Sequence, residues 1–489
     1  MATRVAGGTQ DGPSDLPVRE LIIPMKSLLW LCIPALLFTS HAGSEITADD
    51  TEPDMPSMHI ARFQCDITPP VNQPVGMGFI DPPRTVEHPL LAKGIVLRDT
   101  GGISVLCALD WMEVHNDSYD ALRESLARAA GTTPSRVALH CLHQHTAPAI
   151  DSSAQRLQLD ADDPRRLASQ MYEQETGRRI SRAIRRAMGQ MRPVTHLGTS
   201  QAKVDRVASN RRVPAGDGTL LTRSSSTRDR RLHEAPEGLI DPWLKTLSFL
   251  DGEVTIAQVH YYATHPQSFY GDRRVSYDTV GIARERLQRD SGIFQVYFTG
   301  CGGDVAMGKY NNGSRKARDE LTARILAAMK QSVSSVVRQE VTRVRWQTLD
   351  VHFPQRRDPA FMEPVLQKLL ADPKSAFRTR LKAAFNLAWI ERMKAKRAIE
   401  LSCLTVGSVQ LLHLPGEPFV QYQLAAQAMK PRQFVLVAGY GDCGMSYIGG
   451  DRIYTDRGGY EQSYAFSGPC EQVLLEAIER LLAGKGTDQ

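Results

Sequence analysis

Two histidines one residue apart, His143 and His145, are the residues of this chain best placed to do chemistry. They follow an apolar run, 137–141, whose alternate side chains share one side, so both imidazoles should leave one face where the strand ends. Strand ends often carry functional groups because the strand is rigid and the loop beyond it opens to solvent. The pair predicts half of a metal site; the alternative is two histidines satisfied at the surface or in the core.

Two further segments end in a metal-binding side chain in the same way. The run 254–264 reaches His265 just before Pro266, which ends a strand ladder, and the run 411–414 is followed by a sharp turn and Glu417. Neutral imidazoles and a carboxylate are ligands of catalytic zinc, which keeps one position for water. We therefore predict that His143, His265 and Glu417 converge on one zinc ion per chain.

A series of short motifs extends this pattern from Cys65 to Gly468. The motifs are Asp66-Ile67-Thr68-Pro69-Pro70, His143-Gln144-His145-Thr146, Asn210-Arg211, Ala263-Thr264-His265, Gly303-Asp304-Val305, Leu414-Pro415-Gly416-Glu417, Ser446-Tyr447-Ile448 and Gly459-Tyr460-Glu461. In type and order they resemble those of the neutral (non-lysosomal) ceramidase family, zinc-dependent amidases that cleave N-acylsphingosines. Each motif is short, and their common order makes the resemblance specific.

The resemblance implies a set of site residues. It implies four zinc ligands, namely His143, His265, Glu417 and Tyr447. Around them it implies His145 beside the metal-bound water, Arg211 near the substrate and Tyr460 as the second residue of the closing tyrosine pair. About 20 residues follow Gly468, so we expect a distant, bacterial-type member without the C-terminal immunoglobulin-like domain of family ceramidases.

Two departures from the family pattern bear on the substrate. Ala306 stands where the family has a serine assigned to the reaction centre, and alanine can neither attack a carbonyl nor donate a hydrogen bond. The spacing from Tyr447 to Tyr460 is also about one residue longer than in the family. Zinc binding is compatible with both departures, whereas ceramide as the substrate does not follow.

Hydrolysis at such a site needs few other groups. Zinc activates a water for attack on an acyl carbonyl, and His145 is expected to pass the proton to the leaving amine. Arg211 would anchor a polar or anionic part of the substrate. Asp304 and Asp110 are expected either to orient the histidines or to act as helix caps or turn residues. The glycines of 300–303 are expected to present backbone N–H groups to the oxyanion.

Strand-like and helical segments alternate along the chain. This predicts an α/β fold, with mixed sheets flanked by helices in one large catalytic domain, residues 57–485, and the zinc site at strand ends. The predicted strands are 94–98, 104–109, 137–143, 254–264, 293–299, 401–414 and 434–439, with a hairpin turn at Gly407-Ser408. The predicted helices are 118–130, 163–191, 278–289, 315–336 and a pair after Asp358. Internal repeats are not evident, and 210–237 is predicted to be a long surface loop.

The second helix of that pair, from Phe377, has a basic surface and an apolar face. It is expected to pack on the core, and the alternative is peripheral contact with an anionic membrane. The chain has a net charge of +5 and no concentrated basic stripe, which argues against a nucleic-acid partner. Seven cysteines follow Cys32, so complete internal pairing is impossible, and a disulfide such as Cys443–Cys470 is left open.

The N-terminus is typical of an export signal. Met25-Lys26 precede an apolar run, 28–38, and Ser40-His41-Ala42 provides a small-x-small cleavage site before Gly43. We therefore interpret residues 1–42 as an extension plus signal peptide beginning at Met25, and the protein as secreted or periplasmic. The alternative is a disordered tail with a buried strand.

Three functions are compatible with these features. The first is a secreted zinc amidase acting on an N-acyl compound, either a ceramide-like lipid or another small molecule. The second is a zinc hydrolase of another bond, an ester or phosphoester, which Ala306 keeps open. The third is a binding protein that retains the pocket without catalysis.

Overall fold

The structure is a computed structural model that describes residues 58–72, 82–269 and 273–489. It is mixed α/β, as predicted, and these described residues form one compact unit. The predicted signal peptide and its cleavage site lie outside the described residues. Within the described ranges, the helices are too short or too polar to cross a membrane.

Three five-stranded sheets form the frame. The first sheet consists of β1 (Met58–Asp66), β2 (Leu91–Asp99), β3 (Gly102–Leu109), β4 (Val137–Cys141) and β5 (Arg192–Val194). The second consists of β6 (His196–Lys203), β7 (Trp243–Asp251), β8 (Val254–Tyr262), β9 (Phe294–Thr299) and β10 (Val337–Glu340). The third consists of β11 (Val344–Val351), β12 (Ile399–Val406), β13 (Val409–His413), β14 (Phe434–Ala438) and β15 (Thr487–Asp488). The helices are α1 (Asn116–Ala130), α2 (Ser152–Gln158), α3 (Pro164–Met188), α4 (Arg230–Glu234), α5 (Asp278–Ser291), α6 (Arg315–Val333), α7 (Glu363–Ala371), α8 (Phe377–Lys394), α9 (Val420–Met429) and α10 (Glu471–Leu482).

The three sheets share one topology. Their strand orders are β4-β3-β2-β1-β5, β9-β8-β7-β6-β10 and β14-β13-β12-β11-β15, and in each sheet only the first two strands of the order are parallel. One helix crosses over between those parallel strands in every sheet: α1, α5 or α9. The chain therefore contains three topological repeats, 58–194, 196–340 and 344–488, that the sequence does not reveal. A sheet frame needs only a matching apolar pattern, which unrelated sequences can supply.

Glycine turns set the hairpins of the frame. The predicted turn at Gly407-Ser408 is confirmed, and Gly407 has a φ of 57°, a value that favours glycine. Gly252 provides the corresponding turn in the second repeat, with a φ of 55°. Buried apolar side chains of all three sheets, such as Leu106, Val259 and Leu411, pack in one continuous core.

Short strands fix the connections between these elements. They are Thr85–Val86, Glu113–Val114, Ala149–Ile150, Ser209–Asn210, Arg212–Pro214, Thr219–Thr222, Arg274–Val275, Val305–Ala306, Glu417–Pro418, Tyr447–Ile448 and Arg457–Gly458. Three of them and α4 lie within or at the start of 210–237, so this segment is not one continuous loop, although most of it lies at the surface as predicted. Two of its polar side chains, Arg211 and Arg223, are instead buried and bonded within the protein.

The structure decides two other expectations, the packing of α8 and the disulfide. Helix α8 has the predicted position, and its residues Leu381 and Ala383–Ile390 are buried, so it packs on the core. Cys443 and Cys470 are both free thiols, so the disulfide between them is not formed.

Candidate functional site

Loops from all three repeats meet at one buried point. His143 lies two residues after β4, His265 three residues after β8 and Glu417 four residues after β13. His143 has a φ of 64°, and its N–H donates to the carbonyl of Trp111, so the predicted strand 137–143 ends at Cys141 instead. The structure thus brings together three predicted ligands that are far apart in the sequence.

The distances within this cluster are short. The Nε2 atoms of His143 and His265 lie 3.0 Å apart. Oε2 of Glu417 lies 3.0 Å from the first and 3.1 Å from the second. Nε2 of His145 lies 3.2 Å from Nε2 of His143, so this residue also faces the common point.

Backbone carbonyls fix the orientation of two imidazoles. Nδ1 of His143 lies 3.0 Å from the carbonyl oxygen of Met112, and Nδ1 of His265 lies 2.6 Å from that of Gly302. A carbonyl oxygen only accepts, so each Nδ1 carries the proton and each Nε2 directs a lone pair at the other. Lone pairs in such contact repel each other unless a cation lies between them.

The donor set fits a divalent metal. Oε2 of Glu417 is buried and has no hydrogen-bond donor among the described residues, as expected for an atom that binds a cation. Tetrahedral zinc with ligands about 2.0–2.1 Å away would hold those ligands about 3.3 Å apart, close to the observed separations. His143, His265 and Glu417 would hold the ion, and either His145 or Tyr447 can complete the set.

Burial tunes the ligands to the forms that bind metal. It lowers the pKa of His143 to about 4, despite the opposing charge of Glu113, and lowers the pKa of His145 and His265 well below the ordinary range. These imidazoles are therefore neutral at pH 7. Burial also raises the pKa of Glu417 to about 7, so a nearby cation would favour its carboxylate form at neutral pH.

The predicted tyrosine pair is next to Glu417. Strands Glu417–Pro418 and Tyr447–Ile448 are parallel, with Glu417 opposite Tyr447. The hydroxyl oxygens of Tyr447 and Tyr460 lie 3.0 Å apart, so the longer spacing between them does not separate them. Burial raises the pKa of Tyr447 well above its ordinary value, so the phenol stays protonated unless a cation lowers it.

Arg211 faces the same region from the second repeat. It is 5% exposed, and its Nη2 donates to Ser225 and Gln267, while Nε has no acceptor in the described part of the chain. Its guanidinium carbon lies 5.6 Å from the ring centre of Tyr460. No carboxylate of the described residues forms an ion pair with Arg211, which leaves a buried positive charge beside the cluster.

The two aspartates act on the frame. Oδ1 of Asp304 accepts from the N–H of Val420 at the start of α9, and Oδ2 accepts from Asn210. Burial raises the pKa of Asp304 to about 6. Asp110 makes two hydrogen bonds with Arg284, at 2.8 and 2.9 Å. Of the two expected roles, the helix cap describes Asp304, whereas the two backbone carbonyls named above orient the histidines.

The glycine segment 300–303 has a different use from the expected oxyanion nest. The N–H groups of Gly300, Cys301 and Gly303 already donate to protein oxygens, so these three cannot serve an oxyanion. The missing side chains instead allow close packing: a Cβ on Gly303 would lie 2.4 Å from the carbonyl oxygen of Glu417. The segment thereby fixes the backbone of a predicted ligand.

Ala306 is fully buried on the short strand Val305–Ala306, which pairs with Ser209–Asn210. Its carbonyl accepts from the hydroxyl of Ser209. The described residues that line the cavity beside the His143, His265 and Glu417 cluster do not include Ala306.

Two functional candidates were not predicted from the sequence. Glu113 and His115 are buried beside His143 and line the same cavity. Nε2 of His115 lies 3.1 Å from Oε2 of Glu113. The available signal was the order of elements, because Glu113 follows β3 as Glu417 follows β13.

A cavity of about 600 Å³ opens onto the cluster. Its lining includes the aromatic side chains of Phe269, Phe385, Phe466 and Tyr464. It also includes polar side chains, among them Arg211, the serines 224–226 and Arg378 in the exposed first turn of α8. This size and mixed lining are typical of a site for a small molecule with an apolar portion.

Comparison with known proteins gives a fold but no close relative. No family profile and no curated protein sequence matches the chain. The solved structure of neutral ceramidase from Pseudomonas aeruginosa matches with a TM-score of 0.62 at 17% identity, over 89% of this chain and 76% of that one. A ceramidase complexed with C2 matches with a TM-score of 0.61 at 16% identity, over 88% and 75%. The chain therefore has the fold of neutral ceramidase.

Proposed function

We propose that this protein is a zinc-dependent amidohydrolase that cleaves the amide bond of an N-acyl compound. The observation that carries the proposal is the convergence of two oriented imidazole lone pairs and an undonated carboxylate oxygen on one buried point at a cavity. His143, His265 and Glu417 are the proposed ligands of one zinc ion. Tyr447 is proposed as the fourth ligand.

The other residues have distinct tasks in this proposal. Zinc supplies Lewis acidity, which polarises an acyl carbonyl and makes water acidic near neutral pH. His145 accepts a proton at Nε2 and returns it to the leaving amine, because that atom faces the cluster. Arg211 and Tyr460 bind a polar part of the substrate or its developing negative charge. Asp304 positions Arg211 indirectly, since its carbonyl accepts from the N–H of Arg211.

The cavity supports a substrate with an apolar chain. The aromatic side chains of its lining suit an acyl chain, and the two solved structures named above are ceramidases, so a ceramide-like lipid is the first candidate. Contact with a membrane would then be peripheral.

We further propose that the protein is exported through the segment 25–42. Mass spectrometry of the mature protein should find a start near Gly43, and retention of residues 28–38 would contradict it.

A matched pair of histidine variants tests the function. His260 and His265 lie on the same run of chain and are both fully buried, but His260 bonds to Thr246 and Gln295 in the sheet. His265→Gln should lose zinc and at least about 100-fold of the activity on short- and long-chain N-acyl amides, whereas His260→Gln should retain both. Zinc content by mass spectrometry and turnover of the amide panel are the two measurements.

Each other outcome selects a different function. A wild-type protein that binds no divalent metal would overturn the proposal. Metal binding with turnover of esters or phosphoesters, but not of amides, would establish the second function considered above. Metal binding with no turnover of any of these would indicate a binding protein.

A further inference from the structure

The first repeat also directs a carboxylate at the site. Glu113 lies four residues after β3, as Glu417 lies four residues after β13 and His265 three residues after β8. Glu113 and Glu417 also have the same backbone pairing. Each begins a two-residue strand that pairs in parallel with another short strand, Glu113 opposite Ala149 and Glu417 opposite Tyr447. Glu113 thus occupies in its repeat the position from which the other two repeats supply proposed metal ligands.

Contacts place Glu113 against that cluster. It is 5% exposed, and its Oε1 lies 3.7 Å from Nδ1 of His143. One ligand atom each of Glu113, His143 and Glu417 lie within 4.8 Å of one another, so the two carboxyl groups are close neighbours. The two carboxylates therefore share one buried space.

His115 holds Glu113 in this orientation. Its Nε2 lies 3.1 Å from Oε2 of Glu113, and its ring packs against Phe385 with 4.8 Å between ring centres. A fixed imidazole donor restricts rotation of the carboxylate, as residues that hydrogen-bond to metal ligands do in metal sites.

Charge explains why two carboxylates can lie here together. Among the described residues, neither Glu113 nor Glu417 forms an ion pair with a lysine or arginine; histidines are their ion-pair partners, and the charge of Arg211 acts on Glu417 from a greater distance. Two adjacent buried carboxylates are unfavourable without a cation. We propose that Glu113, positioned by His115, is a second carboxylate of the metal centre and increases its affinity for a divalent cation. This inference rests on the metal site of the proposed function.

Metal affinity of a charge-neutral variant tests the inference. Glu113→Gln in the full-length protein should weaken Zn²⁺ binding by about 10- to 100-fold, measured by competition with a chromogenic chelator. The rise in Tm on adding Zn²⁺ to the chelated protein should shrink in parallel. Glu400→Gln is the matched control, because Glu400 is a largely buried carboxylate paired with Arg123. A Zn²⁺ dissociation constant of Glu113→Gln within about twofold of wild type would overturn the inference.

Two further variants keep the test decisive if Glu113→Gln folds poorly. Glu113→Asp retains the charge and should bind Zn²⁺ more tightly than Glu113→Gln, while His115→Gln should give a smaller loss than Glu113→Gln. Equal affinities of all of these and wild type would reject the role of Glu113. Failure of the proposed function is seen separately, as absence of Zn²⁺ from the wild-type protein.

Discussion

The two ends of the three repeated sheets differ in how they are built. At one end, each hairpin closes with two residues, 100–101, 252–253 or 407–408. At the other end, the connections from the third strand to the crossover helix have six, 15 and six residues and carry the buried polar groups Glu113, His265 and Glu417, respectively. The hairpin ends repeat because they complete the frame, whereas the site ends carry the polar side chains of the cluster, two carboxylates and one imidazole.

This difference explains what the sequence could predict. A hairpin turn depends on neighbouring residues, so Gly407-Ser408 was sufficient to place one. The predicted strands and the crossover helices α1 and α5 follow from local apolar periodicity, which explains why their positions agree with the structure. The strands β1, β6, β7 and β11 and the crossover helix α9 were not predicted. The ends of strands were less predictable, because His143 leaves the ladder through a bond to the distant Trp111.

The site could be predicted only where a residue pattern was informative by itself. His143, His265 and Glu417 each follow an apolar run and end it with a ligand-type side chain. Glu113 does so too but was not predicted; the prediction for this segment named only Asp110, as a residue expected to orient the histidines or to act as a cap or turn residue, and the partner of Asp110 proves to be Arg284. That pairing depends on residues 174 positions apart, and no local pattern encodes it.

The largest contrast between the two ends is expected for glycine substitutions. In Gly303→Ala, at the site end, the new Cβ would lie 2.4 Å from the carbonyl oxygen of Glu417, so the ligand's backbone has to move. We expect the free energy of unfolding to fall by about 2–3 kcal/mol and Zn²⁺ affinity to fall with it. Urea denaturation and chelator competition measure the two effects.

Gly252→Ala is the control at the hairpin end. No atom lies within 4 Å of its new Cβ, and only the φ of 55° opposes it. It should lower the free energy of unfolding by about 1 kcal/mol and leave Zn²⁺ affinity unchanged. Equal effects of both variants on Zn²⁺ affinity would show that the two ends are not functionally distinct.

A smaller effect, confined to the frame, is expected for Glu173 on α3. Burial raises its pKa from 4.5 to about 7, although its carboxylate accepts from the Ser118 hydroxyl. The folded state therefore holds this proton more tightly, and the free energy of unfolding decreases as pH rises from about 4.5 to about 7. Glu173→Gln should remove this loss, so its stability relative to wild type should rise by about 1–3 kcal/mol between pH 4 and pH 8.

Glu175, exposed on the same helix, should behave in the opposite way. Hydrogen bonds from Arg178 and Arg179 lower its pKa to about 2, so its contribution to stability is present above about pH 4.5 and is lost as pH falls. Denaturation curves of Glu173→Gln and Glu175→Gln across pH, with Zn²⁺ affinity measured in parallel, check the signs. A change in Zn²⁺ affinity of Glu173→Gln would link the frame to the site.

The smallest effect on activity is expected for Ala306→Ser. Ala306 is fully buried on a strand that pairs with Ser209–Asn210, and it is not among the described residues that line the cavity. A serine hydroxyl there would not reach a substrate, so kcat/KM for amides should stay within about threefold of wild type. Burial of the new hydroxyl should cost about 1–2 kcal/mol of stability, and Ala283→Ser, equally buried on α5, is the control for that cost.

Amide hydrolysis that appears only in Ala306→Ser would mean that the natural chain acts on another bond or only binds its ligand. Activity already present in wild type, and lost on chelation, would place the whole reaction on the convergent loops.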